Sequence, residues 1–250
     1  MRYLGGKARI AQDVAGYLNL VREPDQPYWE PFVGGGWILA RINDTPNFAS
    51  DKHPALIAMW QALSDGWLPP SNITPEDYER ARNLPDHDPL KAFVGFGCSW
   101  GGKWFGGMAR GKTGRNYAAN AAGSLKRKIA SMPATEFFVA DFLTAEPPRP
   151  HMLIYCDPPY ADTTGYAVGP FNHEAFWDRC MALELGGHTV VISEYEAPAG
   201  FSCVKEMGTH TDIRGGEGEQ MARTERLFRP GSHAPVQPGL LDLLAELEAS

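Results

Sequence analysis

Apolar positions along the chain follow two rhythms. Helical patterning runs over 7–20, 37–42, 54–63, 117–131 and 171–185. Short β-prone or continuous apolar runs mark seven strands, at 28–32, 47–51, 136–140, 151–156, 189–193, 201–207 and 223–228, the last two joined as a hairpin. Strands alternating with helices describe an α/β chain. Pro69-Pro70 breaks this alternation and opens an insert that lasts to about 131. Inside it, Thr74-Pro75-Glu76-Asp77 reads as a helix start: a cap, a proline at the first position and acids in the first turn. Asp88-Pro89 starts a second segment of the same kind. After Pro230 the chain turns Pro-, Gly- and His-rich and ends in an apolar piece, 240–247, a short helix candidate to which no chemistry is assigned. There is no internal repeat.

Chemistry concentrates where strands are predicted to end. The apolar run 151–156 meets Asp157-Pro158-Pro159-Tyr160. Neither proline has an N–H for a ladder, and each fixes its own φ, so the strand stops in a stiff loop. In open α/β sheets ligands bind outside the carboxyl ends of strands. A carboxylate and a free carbonyl, with an aromatic ring nearby, suit a flat group carrying an exocyclic amine. The plainer reading of Asp-Pro-Pro is an ordinary turn. Upstream, Glu30-Pro31-Phe32-Val33-Gly34-Gly35-Gly36-Trp37 reads as strand, glycine turn and helix. Its glycines allow close backbone approach to a ligand, but the third glycine spacing of the dinucleotide fingerprint is missing. The next strand ends in Asp51, where this fold class places a ribose-hydroxyl acceptor. Asp51 also suits an N-cap for the helix opening at Pro54, and both roles can coexist.

The net charge of −7 first argues against a nucleic-acid partner. Its distribution reverses that. From Lys91 to Thr135 there are eight basic residues and no acid: Lys91, Lys103, Arg110, Lys112, Arg115, Lys126, Arg127 and Lys128. Such asymmetry suggests a localised polyanion-binding face on an otherwise acidic chain. Trp100, Trp104, Phe105 and Tyr117 are interleaved with it, together with four glycines at 101, 102, 106 and 107. A Gly/Trp-rich loop is a poor core element, so 100–115 is expected to contact nucleic acid. For Lys126-Arg127-Lys128 a merely solvated helix face is an equal reading. Cys98, Cys156, Cys180 and Cys203 show no Cys-x-x-Cys pairing, which suggests reduced thiols, a cytoplasmic setting and no zinc site. No metal is expected. No apolar run reaches membrane-spanning length and no signal peptide opens the chain, so no membrane partner is expected either.

With these motifs in place, the chain resembles a Dam-like (D12 class, alpha-group) adenine-N6 DNA methyltransferase of phage type. Tyr3-Leu4-Gly5-Gly6-Lys7, Glu30 to Gly36, Asp141-Phe142 and Asp157-Pro158-Pro159-Tyr160 carry the likeness, in the family's order, across most of 1–229. The combination is specific although no single element is. The resemblance implies a Rossmann-like fold binding S-adenosylmethionine (SAM). Its seven-stranded, mostly parallel sheet would end in an antiparallel hairpin. The catalytic domain would comprise 1–68 and 132–229, with 69–131 an inserted target-recognition subdomain and 230–250 a tail. It implies methyl transfer to adenine N6 of a base flipped out of duplex DNA, by a monomer or, as the alternative, a dimer.

The resemblance also assigns roles. Asp157 and the Pro158 carbonyl would accept from the adenine amine, in a loop stiffened by Pro159, and Tyr160 would stack on the base. Tyr160 as an ordinary half-buried aromatic stays open. Tyr3, Lys7, Pro31, Phe32, Gly34, Gly36, Asp51, Asp141 and Phe142 would hold SAM. Lys7 could instead be a surface lysine, and Asp141-Phe142 a plain turn. Lys103, Arg110, Lys112, Arg115 and Lys126 would meet DNA, with Arg110 and Arg115 the candidates for guanine. Two departures matter. Trp37 stands where the family usually has a small residue, and residues 98–107 do not match the recognition hairpin of GATC-specific relatives, so no target sequence is carried over. A silent DNA-binding or decoy protein on the same fold stays open, as does a methyltransferase acting on RNA or a protein glutamine. A nicotinamide oxidoreductase is disfavoured by the missing glycine.

Overall fold

The structure is a computed structural model that describes residues 1–43, 46–110, 114–132, 134–159, 171–209 and 223–233. Its strands are β1 (Tyr28–Glu30), β2 (Asn47–Asp51), β3 (Glu136–Val139), β4 (Leu153–Cys156), β5 (Thr189–Glu194), β6 (Phe201–Thr209) and β7 (Arg223–Pro230). They form one sheet in the order β3-β2-β1-β4-β5-β7-β6. The pairs β3–β2, β2–β1, β1–β4 and β4–β5 are parallel. Strand β7 runs antiparallel to both β5 and β6. This is the seven-stranded, mostly parallel sheet with a C-terminal antiparallel hairpin that the resemblance implied.

Register explains the burial. Successive residues in a strand point to opposite faces. Tyr28, Leu153, Tyr155 and Val191 therefore share one apolar cluster, while Trp29, Ile154, Cys156, Val190 and Ile192 share the other. Both faces of β4 are covered, so it reads as a continuous apolar run without alternation. The helices α1 (Ala11–Val21) and α2 (Pro54–Ser64) supply Val14, Leu18, Leu56 and Trp60 to the first cluster. Helix α6 (His173–Leu185) supplies Phe176, Cys180 and Leu183 to the second. The chain leaves β1 toward β2 and β3 and returns on the other side through β4. The carboxyl ends of β1 and β4 thus flank the point where the strand order reverses, the usual ligand crevice of such sheets.

The insert holds α3 (Pro75–Arg82), α4 (Pro89–Ala92), a π-helical stretch Phe93–Gly97 and α5 (Tyr117–Ala130). Thr74 and Asp77 close a reciprocal capping box on α3, and Asp88 caps α4 through Leu90 N. Tyr78, Phe93 and Phe96 join the same cluster as α1 and α2. Among the described residues no helix is long and apolar enough to cross a membrane.

Three expectations need correction. The predicted helix 37–42 is only a 3-10 turn, Leu39–Arg41. Six residues between a glycine loop and the run-up to β2 cannot repay the cost of nucleating an α-helix. The N-cap of α2 is His53, not Asp51: the His53 ring accepts from Leu56 N, and Asp51 in turn accepts from His53 N at 3.0 Å. The Gly/Trp-rich loop does contribute to the core. Trp104 lies 4.3 Å from the His53 ring and 4.6 Å from Phe96, centroid to centroid, and Phe105 lies 5.5 Å from Tyr78. Gly95 makes room for this, since a Cβ there would sit 2.5 Å from the Trp104 ring.

Candidate active site

The glycine loop is built around two positive-φ residues, and they do different work. Gly34 (φ +44°) faces Tyr3, where a Cβ would come within 2.8 Å of the ring. Gly36 (φ +59°) faces inward, where a Cβ would meet Trp60 and Met132 at 2.9 Å. Asp51, at the end of β2, ties the loop down: its Oδ2 accepts from Gly34 N at 3.1 Å. Burial pushes the Asp51 carboxyl up to about 6, and its backbone hydrogen bonds act against that. Trp60 Nε1 donates to the Gly34 carbonyl at 3.1 Å. On the outer side Lys128 of α5 donates to the Gly35 carbonyl and lies 3.3 Å from the centre of the Trp37 ring. Trp37 in turn backs both Gly6 and Gly35, which have no side chain in its way.

The N-terminal segment crosses over this loop and delivers Lys7 to the end of β4. Lys7 Nζ lies 2.9 Å from Asp157 Oδ1 and 2.8 Å from Glu225 Oε1 on β7. All three groups are largely enclosed, with 6, 19 and 5 % of their side chains exposed. Burial works against the Lys7 ammonium, but Asp157 and Glu225 more than offset it and its pKa is raised. For Asp157 burial is also the largest influence and pushes the carboxyl up to about 6, with Lys7 pulling down and Glu225 pushing up. Lys7 engages Oδ1, leaving Oδ2 as the open acceptor among the described residues. More acids stand close by. Burial pushes Glu30 of β1 and Glu194 of β5 up to about 8 each. Glu30 accepts from the Tyr28 hydroxyl at 2.8 Å.

On the third side, Asp141 follows β3. Its Oδ2 pairs with Lys52 at 2.8 Å and its Oδ1 accepts from Leu143 N at 3.1 Å. The Lys52 hydrogen bond, above all, holds its carboxyl below the usual range. Phe142 is buried 5.2 Å from Phe32, and Phe171 packs 5.9 Å from Phe32 on the edge of the same aromatic group.

These three sides enclose one cleft with a cavity volume of about 160 Å³. Tyr3, Lys7, Pro31, Phe32, Gly34, Asp51, Asp141, Phe142, Asp157, Pro158 and Pro159 all line it. Gly36 does not; its close packing on Trp60 takes it into the core. Tyr160 and Lys112 lie outside the described residues. Of the other basic candidates, Lys103, Arg110, Arg115 and Lys126 are exposed, and none lines this cleft. Arg110 and Arg115 do come together, on the wall of a second, open cavity shared with Asn116 and Tyr117. Arg115 also lies over the Tyr117 ring, 5.5 Å from its centre. Trp100 is 60 % exposed, unlike Trp104, and its backbone is pinned by Trp100 N donating to the Gly107 carbonyl at 2.9 Å.

No protein-family model matches the sequence, and no curated protein matches it. Among solved structures the chain is similar to the rRNA methyltransferase aviRa from Streptomyces viridochromogenes, at 13% identity over 91% of this chain and 86% of that one, with a TM-score of 0.41. The 23S rRNA methyltransferase ErmE shares 15% identity over 98% of this chain and 76% of its own, with a TM-score of 0.37. A predicted N6-adenine-specific DNA methylase from Listeria monocytogenes str. 4b F2365 shares 13% identity over 91% of this chain and 53% of its own, with a TM-score of 0.32.

Sequence reasoning missed several of the cleft's residues. Lys52, Phe171 and Asn172 line it without having been singled out. Glu225, which meets Lys7, sits in a strand read only as part of a hairpin. The available signal was an acid inside a β-prone run, Thr224-Glu225-Arg226-Leu227-Phe228, where half the positions face the core.

Proposed function

We propose that this chain is a SAM-dependent methyltransferase acting on adenine N6 of a base flipped out of duplex DNA. One observation carries the reading: the carboxylate of Asp157, at the carboxyl end of β4, opens into the same cleft as the glycine loop and Asp51, at the point where strand order reverses. The residues suit the cofactor. The Asp51 carboxylate accepts from Gly34 N and His53 N, which leaves lone pairs for ribose hydroxyls. Phe32, Phe142 and Asp141 offer apolar faces and an acceptor for a purine, while Tyr3 and the glycine loop wall the remaining end. When bound, SAM supplies an electrophilic methyl: the amine lone pair forms the N–C bond as the C–S pair stays on sulfur.

The protein's part is electrostatic. The adenine amine is a weak nucleophile because its lone pair is delocalised into the ring. Hydrogen bonds from it to Asp157 Oδ2 and the Pro158 carbonyl favour a pyramidal nitrogen and stabilise the positive charge that develops there. The two prolines keep these acceptors fixed, so little reorganisation accompanies the reaction. The nitrogen's surplus proton leaves to water. Flipping brings the base to the cleft, because the amine is out of reach inside a duplex. Exposed Lys103, Arg110, Arg115 and Lys126 are placed to neutralise phosphates, and Trp100 offers a ring for stacking.

Modification sequencing of plasmid DNA from a methylation-deficient host tests the reading. Wild type is expected to leave N6-methyladenine at one short motif. Asp157→Ala is expected to abolish the mark while SAM binding, read by calorimetry, stays within about threefold, since the lost group faces the amine. A soluble wild type that binds SAM and marks no adenine would move the substrate to RNA or protein, or leave a silent DNA-binding role.

A further inference from the structure

We infer that Glu225 is a positioning residue of this cleft: by sharing the Lys7 ammonium, it prevents Asp157 from being cancelled by its own counter-ion. The inference rests on the function proposed above. An isolated Lys–Asp pair is close to neutral and would do little for a nitrogen gaining positive charge. Here two carboxylates divide one ammonium, at 2.9 and 2.8 Å. Glu225 is itself fixed, since Oε1 also accepts from the Ser193 hydroxyl of β5 at 2.9 Å. The antiparallel β5–β7 pairing makes this possible by setting Ser193 opposite Leu227 and Glu194 opposite Arg226, so Glu225 arrives at the end of the ladder, level with the β4 loop. The C-terminal hairpin therefore does more than complete the sheet; it brings a charge against Lys7, which lines the cleft.

The other groups facing Asp157 do not take over this role. Glu30 on β1 and Glu194 on β5, both pushed up to about 8 chiefly by burial, are mostly protonated at neutral pH. Tyr155 on β4 is raised well above its ordinary value by burial and stays a neutral phenol. Among the described residues, Lys7, from the N-terminal segment, is the cation paired with this carboxylate. Glu225 and Lys7 push the Asp157 carboxyl in opposite directions.

That opposition supplies the test. Carboxyl NMR titration of Asp157 in the SAM-free protein would be paired with methyl transfer from tritiated SAM to duplex DNA over an acid-to-alkaline series. For Glu225→Gln the Asp157 midpoint and the acid limb of kcat are expected to move to lower pH. Its kcat is expected to fall about tenfold or more, with SAM affinity changed less than about threefold. Lys7→Met is expected to move the same midpoint to higher pH, and Glu225→Asp to recover most of kcat. Should Glu225→Gln fail to fold, Glu225→Asp and Ser193→Ala give the same comparison with the charge kept and its placement altered. A midpoint that does not move, or kcat and SAM binding falling together in every variant, would overturn the inference and leave Glu225 a structural residue. A wild type that transfers no methyl to DNA overturns the functional reading instead, and the two failures are told apart by the wild-type assay alone.

Discussion

Gly34 and Gly36 are indistinguishable as letters in a glycine run, yet they answer to different neighbours. A Cβ at Gly34 would displace Tyr3, one wall of the cleft, while a Cβ at Gly36 would press on Trp60 and Met132 in the core. Both hold positive φ, so alanine adds backbone strain of about 1–2 kcal/mol at either. Gly34→Ala is expected to weaken SAM binding about tenfold beyond its effect on stability. Gly36→Ala is expected to lose a further ~1–3 kcal/mol of stability through overpacking. Calorimetry and denaturant unfolding on the two variants check this, and equal profiles would contradict it. At this scale the cleft was legible where a motif has a fixed offset from a strand end. Asp51 and Asp157 were found because they terminate β2 and β4. Glu225 was not, because only the folded sheet brings it to Lys7 from the other end of the chain.

At the scale of the element, α5 shows how charge and period must be read together. Lys126, Arg127 and Lys128 form one basic run, but a helix turns about 100° per residue, so the first and last face opposite ways. Lys126 is exposed, whereas Lys128 is 5 % exposed and ties α5 to the glycine loop. Burial, with Arg41 adding to it, brings the Lys128 pKa from 10.5 down to about 7. The unfolded chain therefore holds more protons than the folded one between those values, and this group's contribution to stability falls as pH drops from 10.5 to about 7. Relative to wild type, Lys128→Met is expected to gain stability over that window by up to ~1.4 kcal/mol per pH unit and to level off below it. Unfolding free energies across the window decide; a flat difference would mean the lysine titrates normally. Strands with continuous apolar runs and capped helices such as α3 were readable from local chemistry. The 3-10 turn at Leu39–Arg41 was not, because its apolar residues serve the core rather than a helix face.

For the whole molecule, net charge misleads and its placement informs. The chain is acidic, but its basic residues from Lys91 onward include Lys103, Arg110, Arg115 and Lys126 on the surface of the insert. Lys103→Glu combined with Arg110→Glu is expected to weaken duplex DNA binding by more than about tenfold. It should also flatten the salt dependence, since each phosphate contact contributes a slope of about −0.9. Equilibrium binding at several salt concentrations measures both, and an unchanged slope would place the DNA face elsewhere. The seven strands with their C-terminal hairpin and the coexistence of glycine loop and Asp-Pro-Pro loop were legible; the packing of the insert was not, since Trp104 and Phe105 look like surface aromatics until Gly95 is seen to admit them. One contact then acquires a wider meaning. Gly102 rests against the backbone of Tyr3, and its carbonyl accepts from Leu4 N at 3.3 Å. The loop that carries Trp100 and Lys103 thus touches the strip of chain that walls the cleft directly. Were DNA bound on the loop to tighten the hold on a cofactor in the cleft through this contact, linkage would require the cofactor to tighten the hold on DNA by the same factor.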